Sequence, residues 1–320
     1  MIAMLFVVLV ACDGGEVSDT STDTDTDTDT PSIDDTWTLS DLGGSCDSSE
    51  KVGAFEVAHW DGYATLTGNV ASGVIPATIL TALEEENGCR LFERENPFCD
   101  PTCDPGEVCT HDGECIPYPS NLDVGAVTVA GLSESITLTA DTSGYYWDTT
   151  VGWPLFNAGD LVQMTAVGGS EVGEFSLRGL GVDDLVVGSE NWEIVSGEDL
   201  EITWTPSVQE SRIRLSFNVD QHGNSPVTMY CDVEDTGSAQ VSGALLNTLL
   251  NYGVSGFATG TARRQTVDSL AIETGCVEMS VYHHVAAQLS VSGHTPCYSD
   301  NDCPDGQVCD VPINTCVDAR

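Results

Sequence analysis

Thirteen cysteines are the side chains with the widest chemical reach in this chain. Setting Cys12 aside leaves an even dozen. Cys99, Cys103, Cys109 and Cys115 form one cluster, and Cys297, Cys303, Cys309 and Cys316 form a second; Cys46, Cys89, Cys231 and Cys276 stand apart. The clusters are an internal repeat, since Cys103-Asp-Pro-Gly-Glu-Val-Cys109 matches Cys303-Pro-Asp-Gly-Gln-Val-Cys309. Neither contains a C-x-x-C pair, so disulfides are expected rather than a zinc ribbon or a redox motif. Each cluster has too few apolar residues to fold by burial alone and needs two bridges. We expect one-to-three and two-to-four pairing, Cys99–Cys109 with Cys103–Cys115 and Cys297–Cys309 with Cys303–Cys316, although the spacing permits other pairings. The isolated four pair most simply as Cys46–Cys89 and Cys231–Cys276. Each such loop of roughly 45 residues would contribute about 3–4 kcal/mol.

Other candidates for chemistry are sparser. Asp300, Asp302 and Asp305 resemble the acidic loop of a Ca2+ site, but the third carboxylate comes one position late and Cys303 interrupts the spacing. Turn-forming aspartates are the competing reading. His283 and His284 are neighbours in an expected strand, so they point to opposite faces and cannot chelate one ion without distortion; His283 falls with the apolar set, and His284 is expected in solvent. Tyr145, Tyr146, Trp147, Trp153 and Phe156 gather in a short turn-rich stretch. Such rings either fill the edge of a β core or stack on sugars, with Asp148 or Asp160 taking hydroxyls. There is no G-x-S-x-G, no H-E-x-x-H and no P-loop. Gly179-Leu180-Gly181 lacks the third glycine of a dinucleotide fingerprint and is expected to be a turn.

The whole chain, 320 residues long, carries 51 Asp and Glu against nine Lys and Arg, a formal net charge of −42. That excludes nucleic-acid binding through a cationic patch, and adhesion to anionic lipid by charge. With 41% apolar residues it can still bury a core.

One apolar run, Ile2 to Ala11, is about half as long as a membrane span and suits the core of an export signal. Leu9-Val10-Ala11-Cys12 resembles the lipobox of bacterial lipoproteins. That resemblance implies diacylglyceryl transfer to the Cys12 thiol and cleavage just before it, although no Lys or Arg precedes the run. Residues 12–35, with an alternating Thr-Asp tract, carry nine acids and no base, and are expected to form a disordered acidic tether. The C-terminal CYSDNDCPDGQVCDVPINTCV resembles the cysteine-rich knots of Dickkopf-type N-terminal regions. From Cys89 to Val317, NGCRLFERENPFCDPTCDPGEVC with Pro117–Pro119 and Trp204–Pro206 resembles predicted lipoproteins of the myxobacterial type. This family implies an envelope location and an architecture, and no activity.

The body reads as strands. Arg212–Asp220 alternates strictly, Gln221 to Asn224 supply a turn, and Val227, Met229, Cys231 and Val233 continue the inward face, predicting a hairpin. Further strands are expected over Ala126–Ala130, Ser135–Ala140, Leu161–Val167, Glu201–Thr205 and Val277–Val291, the last bent or divided. Helices are expected over Pro76–Asn87 and Ala244–Asn251. Alternation puts Cys276 opposite Val277 and Met279, so pairing it with Cys231 would need a bulge near Gly275.

These readings predict a mainly β chain: an antiparallel β-sandwich body, or two small sandwiches packed together, with two disulfide-rich knots. The expected divisions are a signal peptide over 1–11, the tether over 12–35, a small β-rich unit over 36–94, a first knot over 95–120, the sandwich over 121–295 and a second knot over 296–320. The expected function is a non-catalytic envelope lipoprotein, held to a membrane by its lipid and facing an envelope protein or glycan. A carbohydrate-binding lipoprotein and a hydrolase with dispersed carboxylates are the alternatives.

Overall fold

Period-two alternation becomes twenty strands and one helix in a computed structural model that describes residues 37–223 and 225–319. The signal peptide, the lipidation site Cys12 and the tether lie outside those residues. The first strands are β1 (Lys51–Trp60), β2 (Tyr63–Val70), β3 (Leu80–Glu86), β4 (Cys89–Arg94), β5 (Glu107–Cys109) and β6 (Cys115–Pro117). Next come β7 (Val127–Ala130), β8 (Ile136–Leu138), β9 (Tyr146–Asp148), β10 (Leu161–Ala166), β11 (Phe175–Leu180), β12 (Asn191–Ile194) and β13 (Leu200–Thr203). The rest are β14 (Arg212–Asn218), β15 (Val227–Glu234), β16 (Ser238–Val241), α1 (Gly243–Asn251), β17 (Thr259–Ile272), β18 (Gly275–Val291), β19 (Gln307–Asp310) and β20 (Thr315–Asp318).

A ten-stranded sheet dominates, in the order β3-β4-β15-β14-β17-β18-β1-β2-β9, with β12 also paired to β18. It is mixed rather than purely antiparallel: β1 and β12 both run parallel to β18. Because β1 to β4 are strands of this sheet, residues 36–94 are not a separate β-rich unit. The long run expected to bend or divide is one 17-residue strand, β18. Its inward side chains serve two cores in succession. Val277, Met279 and Val281 pack beneath the four-stranded sheet β11-β10-β7-β8, whereas Ala287, Leu289 and Val291 pack with β13, β16 and α1. The body is thus two sandwiches sharing one sheet.

Two local expectations fail for identifiable reasons. Pro76–Asn87 is a 3-10 turn followed by the edge strand β3, not a helix. Asn87 and Gly88 both adopt positive φ, 52° and 77°, the backbone of a two-residue hairpin turn joining β3 to β4. Gly179 lies inside β11 rather than in a turn; a Cβ there would meet Val281 Cγ2 at 2.5 Å, so glycine is what lets β11 press onto the large sheet. The helix expected over Ala244–Asn251 is α1, capped by Ser242 Oγ, which accepts from Ala244 N.

Six disulfides join all twelve cysteines of the described residues, which places the protein in an oxidising compartment outside the cytosol. The clusters pair as Cys99–Cys109 with Cys103–Cys115 and as Cys297–Cys309 with Cys303–Cys316. The isolated four do not form Cys46–Cys89 and Cys231–Cys276. They form Cys46–Cys276 and Cys89–Cys231. The strand faces explain the exchange: Cys89 and Cys231 are directly opposite on the inward face of β4 and β15, while Cys276 faces the other side, where Cys46 lies. No bulge inward is needed. Among the described residues no helix is long and apolar enough to cross a membrane.

Candidate functional site

One face of the large sheet is covered by the two cores, and the other carries a trough. Its lining extends from Ala82 on β3 to Asn69 on β2 and encloses about 1290 Å³. Eight adjacent strands at about 4.8 Å spacing make that a span of about 34 Å. One wall is the segment entering β1: Gly44 N donates to Val267 O, Gly43 N to Asp268 Oδ1 and Cys46 N to Glu278 Oε2. The Cys46–Cys276 bridge staples that wall to β18.

Four of the chain's nine cations, Lys51, Arg90, Arg212 and Arg214, line this trough, and Arg263 shares its face. Three are ion-paired: Lys51 with Glu278, Arg90 with Glu85 and Arg212 with Asp232. Arg214 has no carboxylate partner among the described residues. Its guanidinium carbon sits 4.7 Å over the ring of Tyr230, which in turn packs 5.9 Å from Phe92. The trough therefore balances its charges within an otherwise acidic surface.

Beyond the trough the same face becomes aromatic. Trp60 stacks on Tyr63 at 5.6 Å and packs at a 43° tilt against His284, 4.1 Å between ring centroids. Arg263 lies 4.3 Å over Tyr282, whose hydroxyl donates to Glu56 Oε2 at 3.0 Å. Burial pushes the Tyr282 hydroxyl up, with the Glu56 charge adding to it. His284 is therefore buried rather than solvent-facing, because Trp60 and Arg263 cover it; burial pulls it down to about 4.

The aromatic stretch singled out from sequence divides. Tyr146 is fully buried, accepting from Val124 N and donating to Asp123 Oδ1 and Gly125 O; burial raises its hydroxyl to about 12. Phe156 is buried and stacks on His59 at 3.8 Å. These two are core, not ligand contacts. Tyr145, Trp147 and Trp153 are about half exposed, and Trp147 pairs with Thr67 on the trough's side of the sheet. The aspartates of the second knot act as turn residues. Asp302 Oδ2 accepts from Tyr298 N and Ser299 N, bonds that hold it below the usual carboxylate range, and Asp300 Oδ1 accepts from Cys309 N. Asp305 is exposed, and among the described residues the three carboxylates do not converge on one point.

His283 is buried and hydrogen-bonded, as its place in the apolar alternation predicts, but the buried polar row it belongs to, on the covered face at the joint between the cores, was not read from sequence. His59 on β1, His283 on β18 and Arg264 on β17 are neighbours in register. His59 Nε2 accepts from Leu155 N and His283 Nδ1 from Leu185 N. Arg264 binds Asp235 Oδ2 at 2.7 Å and the carbonyls of Asp184 and Thr205. Burial would raise Asp235, but Arg264, Ser211 and Trp204 donating to it outweigh that and hold it low. Arg263-Arg264 was the signal: in a strand one of two adjacent arginines must face inward.

No family model matches the chain, and no curated protein matches it. Among solved structures, the FN1–FN3 domains of chicken CNTN1 align at 9% identity with a TM-score of 0.18, covering 66% of each chain. The chain thus spans just under two thirds of that structure. Murine CEACAM1b aligns at 8% identity and a TM-score of 0.15, over 75% of this chain and 99% of that one.

Proposed function

We propose that the protein is a non-catalytic bacterial envelope lipoprotein, acylated at Cys12, whose stapled β body presents the open sheet face to a binding partner. The observation that carries the reading is the gathering of four of nine cations into one trough of an acidic molecule. Randomly scattered bases would not converge in this way, and the same trough is walled by a disulfide-clipped segment. Export is the compartment in which six bridges persist, and the Leu9-Val10-Ala11-Cys12 sequence supplies the acylation signal. The resemblance to myxobacterial-type lipoproteins points to the same location. The non-catalytic part rests on the absence of a recognisable catalytic motif and on three trough carboxylates, Glu85, Asp232 and Glu278, engaged by cations.

Protease shaving of intact cells with mass spectrometry tests this. A glutamyl protease suits a chain so poor in Lys and Arg. The expected result is release of body peptides from intact cells, with a diacylated N-terminal peptide beginning at Cys12 in the membrane fraction. An unmodified Cys12 in a cytosolic fraction would overturn it.

A further inference from the structure

We infer that the trough binds an extended, carboxylate-bearing glycan, a uronate-containing polysaccharide, with Arg214 taking a sugar carboxylate. The inference deepens the binding-protein reading and rests on it. Shape comes first. A groove of about 1290 Å³ crossing eight strands is larger and longer than a small-molecule pocket, and suits a segment of polymer. It crosses a sheet face whose main-chain groups are spent on neighbouring strands, so a peptide could not add to it as a strand.

Chemistry narrows the class. The pairs Lys51–Glu278, Arg90–Glu85 and Arg212–Asp232 set donors beside acceptors along the walls, and a sugar hydroxyl both donates and accepts. Phe92 adds apolar ring surface to the trough beside Tyr230, whose own ring carries Arg214. Arg214 is different: it is held on Tyr230 and makes no ion pair among the described residues, since Asp232 opposite it is taken by Arg212, and its planar fork matches a carboxylate bidentately. The surrounding acidic surface repels a polyanion elsewhere, and at physiological salt that repulsion is screened within about 8 Å, leaving the local cation to decide.

Isothermal titration of the purified full chain with oligogalacturonate and oligomannuronate tests this, beside a neutral galacto-oligosaccharide of equal length and poly-aspartate. Binding of at least one uronate oligomer is expected, weakened tenfold or more by Arg214→Gln and unchanged by Arg178→Gln, which removes the same charge from β11. Should Arg214→Gln melt lower than the parent, Arg214→Lys, which keeps charge but loses the fork, is expected to weaken binding severalfold. No uronate binding, equal affinity for the neutral oligomer or for poly-aspartate, or indifference to both Arg214 variants would overturn the inference. An exported, acylated protein that binds no uronate loses this inference alone; an unacylated cytosolic chain loses the proposed function instead.

Discussion

Arg264 and Asp235 form an ion pair whose side chains are 2% and 5% exposed, at the joint where one core of the shared sheet gives way to the other. The pair works because its remaining hydrogen-bonding capacity is filled. Arg264 donates to the Asp184 and Thr205 carbonyls, and Asp235 accepts from Trp204 Nε1 and Ser211 Oγ. Removing one partner strands a buried charge. Arg264→Met is therefore expected to cost about 3–5 kcal/mol, and adding Asp235→Leu should recover part of that loss. Denaturant unfolding of the single and double variants measures both.

Acid should weaken the fold through its buried histidines. His59 and His284 are pulled from 6.5 to about 4 by burial, and burial lowers His283 as well. The folded form stays neutral where the unfolded chain takes up protons. Stability is therefore complete above about pH 6.5 and lost progressively as pH falls towards 4, with His59 and His284 each contributing on the order of 3 kcal/mol. Melting temperatures between pH 7 and pH 4 should fall steeply, and His59→Gln should flatten that slope.

Trp147 and Tyr146, neighbours in β9, are expected to behave oppositely. Trp147 is 58% exposed, so Trp147→Ala with Trp153→Ala should change stability by less than about 1 kcal/mol. Tyr146→Ala empties a fully buried site and orphans Val124 N, with an expected loss of about 3–5 kcal/mol. Thermal melts of the two variants separate platform from core.

Strand-level architecture was legible because burial enforces alternation. The Arg212–Asn218 and Val227–Glu234 hairpin follows from it, and so does the outward direction of Cys276. Strand direction, and not the shortness of the disulfide loop, decides the pairing of the isolated four cysteines. Asn87-Gly88 was a hairpin signal, but the charged run before it has helix-forming composition, and only pairing with β4 makes it a strand. The trough itself was not legible. Lys51, Arg90, Arg212 and Arg214 come from three strands, β1, β4 and β14, whose adjacency depends on sheet order, which a single sequence does not encode locally.

Corrected pairing changes what each bridge should do. Cys46–Cys276 and Cys89–Cys231 close loops with separations of 230 and 142 residues. In the chain-entropy model each contributes about 5 kcal/mol. Cys89→Ser/Cys231→Ser should destabilise the core through its inward position. Cys46→Ser/Cys276→Ser should also loosen the trough wall, seen as faster amide exchange over residues 43–50. Non-reducing peptide maps that join Cys46 to Cys89 would refute the assignment.

Hydroxyl-radical footprinting, run on intact cells and on the purified protein, asks most directly whether the trough is the working surface. Phe92 and Tyr230 line it, whereas Val208 and Tyr298 are 96% and 71% exposed outside it. An occupied trough predicts severalfold protection of Phe92 and Tyr230 in cells, with Val208 and Tyr298 oxidised at the same rate in both samples. Equal rates at Phe92 and Tyr230 in cells and in solution would contradict the account.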